Sequence, residues 1–173
     1  MSTRRDLANP LQIAAEQAMQ AHAALGKMSA CTTVTEFADA ATEFMSAARG
    51  MSQSVAWLAR TSATDASERR RGFSAWFAMS ARELIVHPVQ AELQAKTQTP
   101  PIYISRLARG SGHPPIREAM TLAKMMSVKP RPEDFYFEGL DKRPAIELCA
   151  EYLERVTNLL DASKQAMKRF GLE

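Results

Sequence analysis

The chain has 173 residues, enough for one domain with one hydrophobic core, and its apolar fraction of 46% and charged fraction of 24% are ordinary for a globular protein. Its two cysteines, Cys31 and Cys149, are too far apart in sequence to suggest a zinc site or a disulfide framework. The net charge of +3 is too small to establish nucleic-acid binding, and no apolar run is long enough for a signal peptide or a membrane span. We therefore expect a single cytoplasmic domain over residues 1–173.

Capping signals predict the first helix. Asn9 suits the N-cap and Pro10 the first helical position, while Gly26 suits the residue after the helix end. A helix from Pro10 to Leu25 is therefore predicted. His22 lies inside it among alanines, and we assign it no role.

The second helix is predicted to be long. Thr33 and Glu36 have the spacing of a capping box, in which each side chain satisfies a backbone donor of the first turn. Gly50 weakens the helix without ending it. Apolar residues then recur every three or four positions and predict one continuous buried seam: Val34, Phe37, Ala41, Phe44, Ala48, Met51, Val55 and Leu58.

The third helix is predicted to start near Ser67. Pro88 restricts His87 to extended geometry, so this helix should end at or before Val86. Three aromatic residues are expected on one side of it: Phe73, Trp76 and Phe77.

The central segment is irregular and rich in proline and glycine. Short helices are predicted over residues 89–96 and 115–126. The stretch IYISRLA, residues 102–108, has the pattern of an extended segment, but a lone strand without a partner would not form a sheet. The later loop carries Phe135, Tyr136 and Phe137, and it is stable only if these rings pack on the helices.

The last helix has the strongest signals, with Pro144 at its start and Gly171 just past its end. Acidic residues are frequent in its first turns and basic residues in its last turn, as the helix dipole favours. We expect it to be an antiparallel neighbour of the second helix. The predicted fold is an all-α bundle of five or six helices, with two long antiparallel helices and an irregular central segment.

Motifs for metal, nucleotide or nucleophilic sites are absent from the sequence. It contains no HExxH, no GxxxxGK, no GxGxxG and no GxSxG, so we expect no metal and no cofactor. Two carboxylate pairs, Glu133 with Asp134 and Glu147 with Glu151, are interpreted as solvated charges.

Three helical stretches together resemble uncharacterised bacterial proteins related to the HEPN domain. They are FMSAARGMSQSVAWLAR, FSAWFAMSARELIVHPVQAEL and IELCAEYLERVTNLLDASKQAMKRF. The resemblance implies an all-helical bundle, usually dimeric, whose active members cleave RNA with an RxxxxH motif. Arg82 and His87 would be the arginine and histidine of that motif, although Glu83 replaces the asparagine or aspartate that commonly follows the arginine.

Two interpretations of this motif remain open. A histidine can abstract the 2′-hydroxyl proton and an arginine can stabilise the phosphate, but five helical positions turn the side chains about 140° apart unless the helix breaks. In a second alignment of the motif, Lys96 replaces the arginine, no histidine follows, and the nuclease site is absent. We favour the second interpretation.

The sequence thus favours a non-catalytic binding protein with a protein partner, and homodimerisation through the second or last helix is a further expectation. A metal-independent ribonuclease using Arg82 and His87 is the first alternative. A non-catalytic nucleic-acid-binding module, with RNA as a possible ligand, is the second. Its binding residues would be basic: Arg69, Arg70, Arg71, Lys96, Arg106 and Arg109.

Overall fold

The computed structural model describes residues 5–63, 67–86, 107–109, 131–137 and 143–172. These contain four α-helices and one two-stranded antiparallel sheet. The elements in chain order are α1 (Arg5–Ala30), α2 (Val34–Ala63), α3 (Glu68–Val86), β1 (Leu107–Arg109), β2 (Phe135–Phe137) and α4 (Ala145–Arg169). The helical class is confirmed, but the number of five or six helices is not, because the short helices placed at 89–96 and 115–126 lie outside the described residues.

The first two helices form an antiparallel hairpin, joined by residues 31–33. Gln17 lies opposite Gly50, and Lys27 binds Glu43 at 2.6 Å between Nζ and Oε2. Space is limited at Gly50, where an added Cβ atom would lie 2.8 Å from Oε1 of Gln17. Gly50 remains inside α2, as the sequence predicts.

The first helix is longer than the sequence predicts. It begins at Arg5, so Pro10 lies within it, and it continues through Gly26 to Ala30. Met28, two residues past Gly26, is fully buried in the core. Burial of a large apolar side chain stabilises the fold by more than a glycine inside a helix destabilises it. The helix therefore continues where local signals indicate an end.

The second helix starts and packs as predicted. The backbone N–H of Glu36 donates to Oγ1 of Thr33, and Oε2 of Glu36 accepts from the backbone N–H groups of Thr33 and Thr32. The hydrogen bond from the backbone of Thr32 is the main cause that lowers the pKa of Glu36. Six residues of the predicted seam are fully buried: Phe37, Ala41, Phe44, Ala48, Met51 and Leu58.

The two strands correct one sequence-based expectation. The last two residues of the IYISRLA stretch, Leu107 and Ala108, do have a partner, because they belong to β1 and pair with Phe137 and Tyr136 of β2 in an antiparallel register. The expectation that the loop aromatics pack on the helices is met. Phe135 is 1% exposed, and its ring stacks on Phe37 of α2 at 4.2 Å between centroids.

The last helix has the ends that the sequence predicts. Pro144 precedes its first residue, and Gly171 adopts a positive φ of 65° just after its last one. The N–H groups of Gly171 and Leu172 donate to the carbonyls of Lys168 and Met167, which satisfies acceptors that the helix end leaves free.

The last helix packs mainly against α1 and touches α2 at few positions. Its end contacts the start of α3, where an added Cβ atom on Gly72 would lie 2.8 Å from the Phe170 ring. Because α3 follows α2 directly, α2 and α4 finish at the same end of the bundle. The expectation that these two helices are antiparallel neighbours is therefore not confirmed, and α1 is the principal neighbour of both. None of the described helices is both long and apolar enough to span a membrane.

Replacing Gly26 tests whether α1 continues past this residue. Gly26 lies in the helix interior, and nothing lies within 4 Å of an added Cβ atom. Gly26→Ala should therefore raise the free energy of unfolding by about 0.5–1 kcal/mol, or about 1–4 °C in melting temperature, because alanine loses less backbone entropy in a helix. Urea titration and thermal unfolding measure both quantities.

Gly171→Ala is the matched control, because Gly171 has a left-handed backbone and a guanidinium of Arg69 beside it. This variant should lose about 1–2 kcal/mol. A destabilising Gly26→Ala would show that the helix ends at Gly26 in solution.

Candidate functional site

A groove of about 530 Å³ lies between α1 and α4. Most of its lining is apolar, and polar side chains lie among the apolar ones. Its lining residues are Ala15, Ala18, Met19, His22 and Ala23 of α1, and Leu153, Thr157, Leu160, Asp161 and Lys164 of α4.

The alanine content of α1 explains why the groove exists. The lining residues of α1 recur at intervals of three and four, so they form one stripe along the helix. Ala15, Ala18 and Ala23 are too short to fill the space between two helices. The lining residues of α4 form a second stripe, in which Leu153 and Leu160 are buried. The groove therefore has apolar walls, and it stays open because the alanine side chains of α1 are small.

The edge of the groove combines an exposed apolar side chain with polar groups. Met19 is 74% exposed, and its flexible thioether can adapt to different contact surfaces. Nζ of Lys164 lies 3.7 Å from Oδ1 of Asp161, one turn away on α4. Because this ammonium and this carboxylate offset each other, the pair gives the edge no net charge. Such a site suits an apolar ligand surface with a polar border.

The predicted ribonuclease pair is only partly within the described structure. Arg82 is exposed on α3, four residues before the helix ends at Val86. His87 lies outside the described residues. Convergence of the two side chains therefore stays a prediction.

Three of the predicted basic residues share one helical turn. Arg69, Arg70 and Arg71 lie in the first turn of α3, where the sequence places them, and Ser67 caps that turn by accepting a hydrogen bond from the N–H of Arg70. The other three are dispersed in the sequence. Arg109 belongs to β1, whereas Lys96 and Arg106 lie outside the described residues.

The carboxylate pair on α4 belongs to an ion-pair network. Nη1 of Arg143 lies 2.6 Å from Oε2 of Glu151, and Nη2 of Arg155 lies 3.1 Å from its Oε1. Glu147 approaches the same Arg143 at 3.6 Å. The hydrogen bond from Arg143 lowers the pKa of Glu151. Since both glutamates bind arginine, their arrangement suits helix stabilisation rather than general acid–base chemistry.

The other reactive side chains also have structural surroundings. Asp134 accepts a hydrogen bond from the N–H of Arg131 in a short 3₁₀ helix, Pro132–Asp134. Cys149 is fully buried, and this burial raises the pKa of its thiol. A thiol that stays protonated is a poor nucleophile. Within the described ranges, no three His, Cys, Asp or Glu side chains group closely enough to hold a metal ion.

Comparison with known proteins returned no matching family model, no similar curated protein and no similar solved structure. The HEPN-like character of the chain therefore stays a prediction.

Sequence reasoning missed the groove and its histidine. His22, which received no role, is exposed and lines the groove. The available signal was the alanine stripe of α1, interrupted by two large residues, Met19 and His22. That signal is weak, because the same pattern also describes a helix that packs closely on a neighbour.

The Glu151 network predicts a specific pH dependence. Its pKa is lower in the folded chain than the unfolded value of about 4.3, so the stability that it contributes is complete above that value and is lost as the pH falls through the folded pKa. Glu151→Gln should lower the free energy of unfolding at pH 7 by about 1 kcal/mol and flatten its decline below pH 4. Urea titrations between pH 2.5 and 7 measure this.

Glu154→Gln is the control, since Glu154 is exposed on the same helix. It should leave the acid dependence unchanged. If the free energy of unfolding falls equally steeply below pH 4 in Glu151→Gln and in the wild type, the role assigned to the network is wrong.

Proposed function

We propose that this protein is a non-catalytic, cytoplasmic binding protein that takes up an amphipathic helix of a partner protein in the groove between α1 and α4. The apolar groove lined by two helices is the observation that carries the proposal. Both cysteines are unpaired and buried, which is compatible with a reducing compartment.

The dimensions of the groove suit a helix. Its lining extends from Ala15 to Ala23 of α1 and from Leu153 to Lys164 of α4, and these stretches are about 12 Å and 16 Å long at a rise of about 1.5 Å per residue. This is the length of two to three helical turns. A third helix placed along two others buries its apolar residues at positions i, i+3 or i+4, and i+7 between them. The alanines of α1 would allow its backbone to approach closely.

The chemistry of the groove also indicates an apolar partner surface. Asp161 and Lys164 offset each other, so neither sign of charge on the ligand is preferred. Affinity must then come mainly from burial of apolar side chains against Leu153, Leu160 and Met19. An amphipathic helix supplies such a face and keeps its polar side in water.

A charge placed in the groove tests the proposal. Phage-displayed amphipathic helical peptides are selected on the wild-type protein, and the tightest peptide is titrated into isotope-labelled protein by NMR. Its binding should shift the resonances of the α1 and α4 stripes. Met19→Glu should weaken the peptide at least tenfold, because a carboxylate would have to lose water on binding.

Met79→Glu is the matched control, because Met79 is also 74% exposed but lies on α3. It should leave the affinity unchanged. The proposal fails if no selected peptide binds with a Kd below about 100 µM, or if both variants weaken it equally. A dimer that Met19→Glu breaks and Met79→Glu does not would assign the groove to a second copy of this chain, and would also overturn the proposal.

A further inference from the structure

Thr157 lies in the α4 wall of the groove between two apolar residues of the same wall. Leu153 is four residues before it and Leu160 three residues after it, so the three side chains share one stripe of the helix. Both leucines are buried, whereas Thr157 is half-buried. A wall that packed only on apolar surfaces would favour an apolar residue at this position, so the hydroxyl of Thr157 calls for a separate explanation.

The hydroxyl of Thr157 is not used inside its own helix. Ser29, Thr42 and Ser163 each donate a hydrogen bond from the side-chain hydroxyl to the carbonyl four residues earlier. Thr157 makes no such bond to Leu153, and its side chain has no hydrogen-bond partner within the described parts of the chain. The hydroxyl can therefore act as both donor and acceptor toward a ligand.

The other polar side chains of the groove have different surroundings. Asp161 and Lys164 lie 3.7 Å apart and pair with each other. His22 also has no hydrogen-bond partner among the described residues, but it is exposed, so water can reach its ring. Thr157, by contrast, is flanked by buried leucines, so a ligand that covers the groove would remove water from its hydroxyl.

Binding of the partner helix would bury this hydroxyl. A helix that contacts both Leu153 and Leu160 also covers Thr157, which lies between them. A buried hydroxyl without a hydrogen-bond partner costs roughly 5- to 100-fold in affinity, because the hydrogen bonds that it made to water are not replaced. A partner helix with an entirely apolar face is therefore disfavoured at this position.

We propose that the partner helix presents one carboxamide side chain, asparagine or glutamine, to the hydroxyl of Thr157. A carboxamide both donates and accepts hydrogen bonds, as a hydroxyl does, so the two groups can pair in either direction. A charged side chain would lose more hydration at the same place, and the groove residues Asp161 and Lys164 already offset each other.

Thr157 then selects the partner and fixes its register along the groove, as a single polar residue does inside a coiled coil. This inference rests on the proposed function of the groove, because it names the chemistry of the helix that the groove takes up.

Peptide selection followed by a double-mutant cycle tests the inference. Helical peptides of about 18 residues, randomised along the apolar face, are displayed on phage and selected on the wild-type protein. Peptides are kept if Met19→Glu weakens them and Met79→Glu does not, and these should carry asparagine or glutamine at one position of the apolar face. The tightest peptide is compared with a variant in which leucine replaces the asparagine, or methionine the glutamine.

The affinities of the two peptides for the wild type and for Thr157→Val are measured by fluorescence anisotropy. Thr157→Val should weaken the carboxamide peptide about tenfold, and the apolar variant should bind the wild type about tenfold more weakly, since either change leaves one buried polar group unpaired. The apolar variant should bind Thr157→Val within about threefold of the original pair, because replacing both partners leaves neither group unpaired.

Thr157→Ser and Thr42→Val are the controls. Serine keeps the hydroxyl, so the affinity for the carboxamide peptide should stay within about threefold of the wild-type value. Thr42 lies on α2 and its hydroxyl donates to the carbonyl of Ala38, so the same substitution there should change neither affinity. Circular dichroism verifies that all three variants remain folded.

Three results would overturn the inference while the proposed function of the groove stands. The first is selection of groove-binding peptides without a carboxamide on the apolar face. The second is a carboxamide peptide that Thr157→Val does not weaken, as expected if the hydroxyl turns to the carbonyl of Leu153 on binding. The third is an equal loss for both peptides in Thr157→Val, which indicates a purely structural role. If no peptide binds with a Kd below about 100 µM, the proposed function itself fails, and this inference fails with it.

Discussion

The close packing of α1 on α2 is the contact on which the rest of the described structure depends. Small residues lie where the two helices meet, because an added Cβ atom on Gly50 would lie 2.8 Å from Oε1 of Gln17 and because Ala21 and Ala24 are buried in the core. A helix so rich in alanine packs tightly on one neighbour but cannot fill the space beside a second one. The groove against α4 is thus a consequence of the same composition that brings α1 close to α2.

Local sequence signals were sufficient to predict the helix ends that are decided by contacts within one helical turn. Thr33 and Glu36 cap α2 as predicted because both partners lie within one turn, and Gly171 ends α4 for the same reason. At Gly26 a similar signal failed, because burial of Met28 in the tertiary structure decides the outcome. The pairing of Leu107 with Phe137 joins residues far apart in sequence, so no local pattern could reveal it. The groove was missed because it is a space between two helices, and its shape depends on how they pack.

The stability of a variant that fills the groove tests the central claim most directly. Ala18 lines the groove, whereas Ala21, three residues later on the same helix, is fully buried. Ala18→Leu should keep the free energy of unfolding or raise it by up to about 1 kcal/mol, because the added side chain enters open space with apolar walls. Ala21→Leu should lower it by about 1–3 kcal/mol through overpacking. If urea titration shows that both variants lose the same stability, the space beside α1 is already filled in solution and the groove does not exist as described.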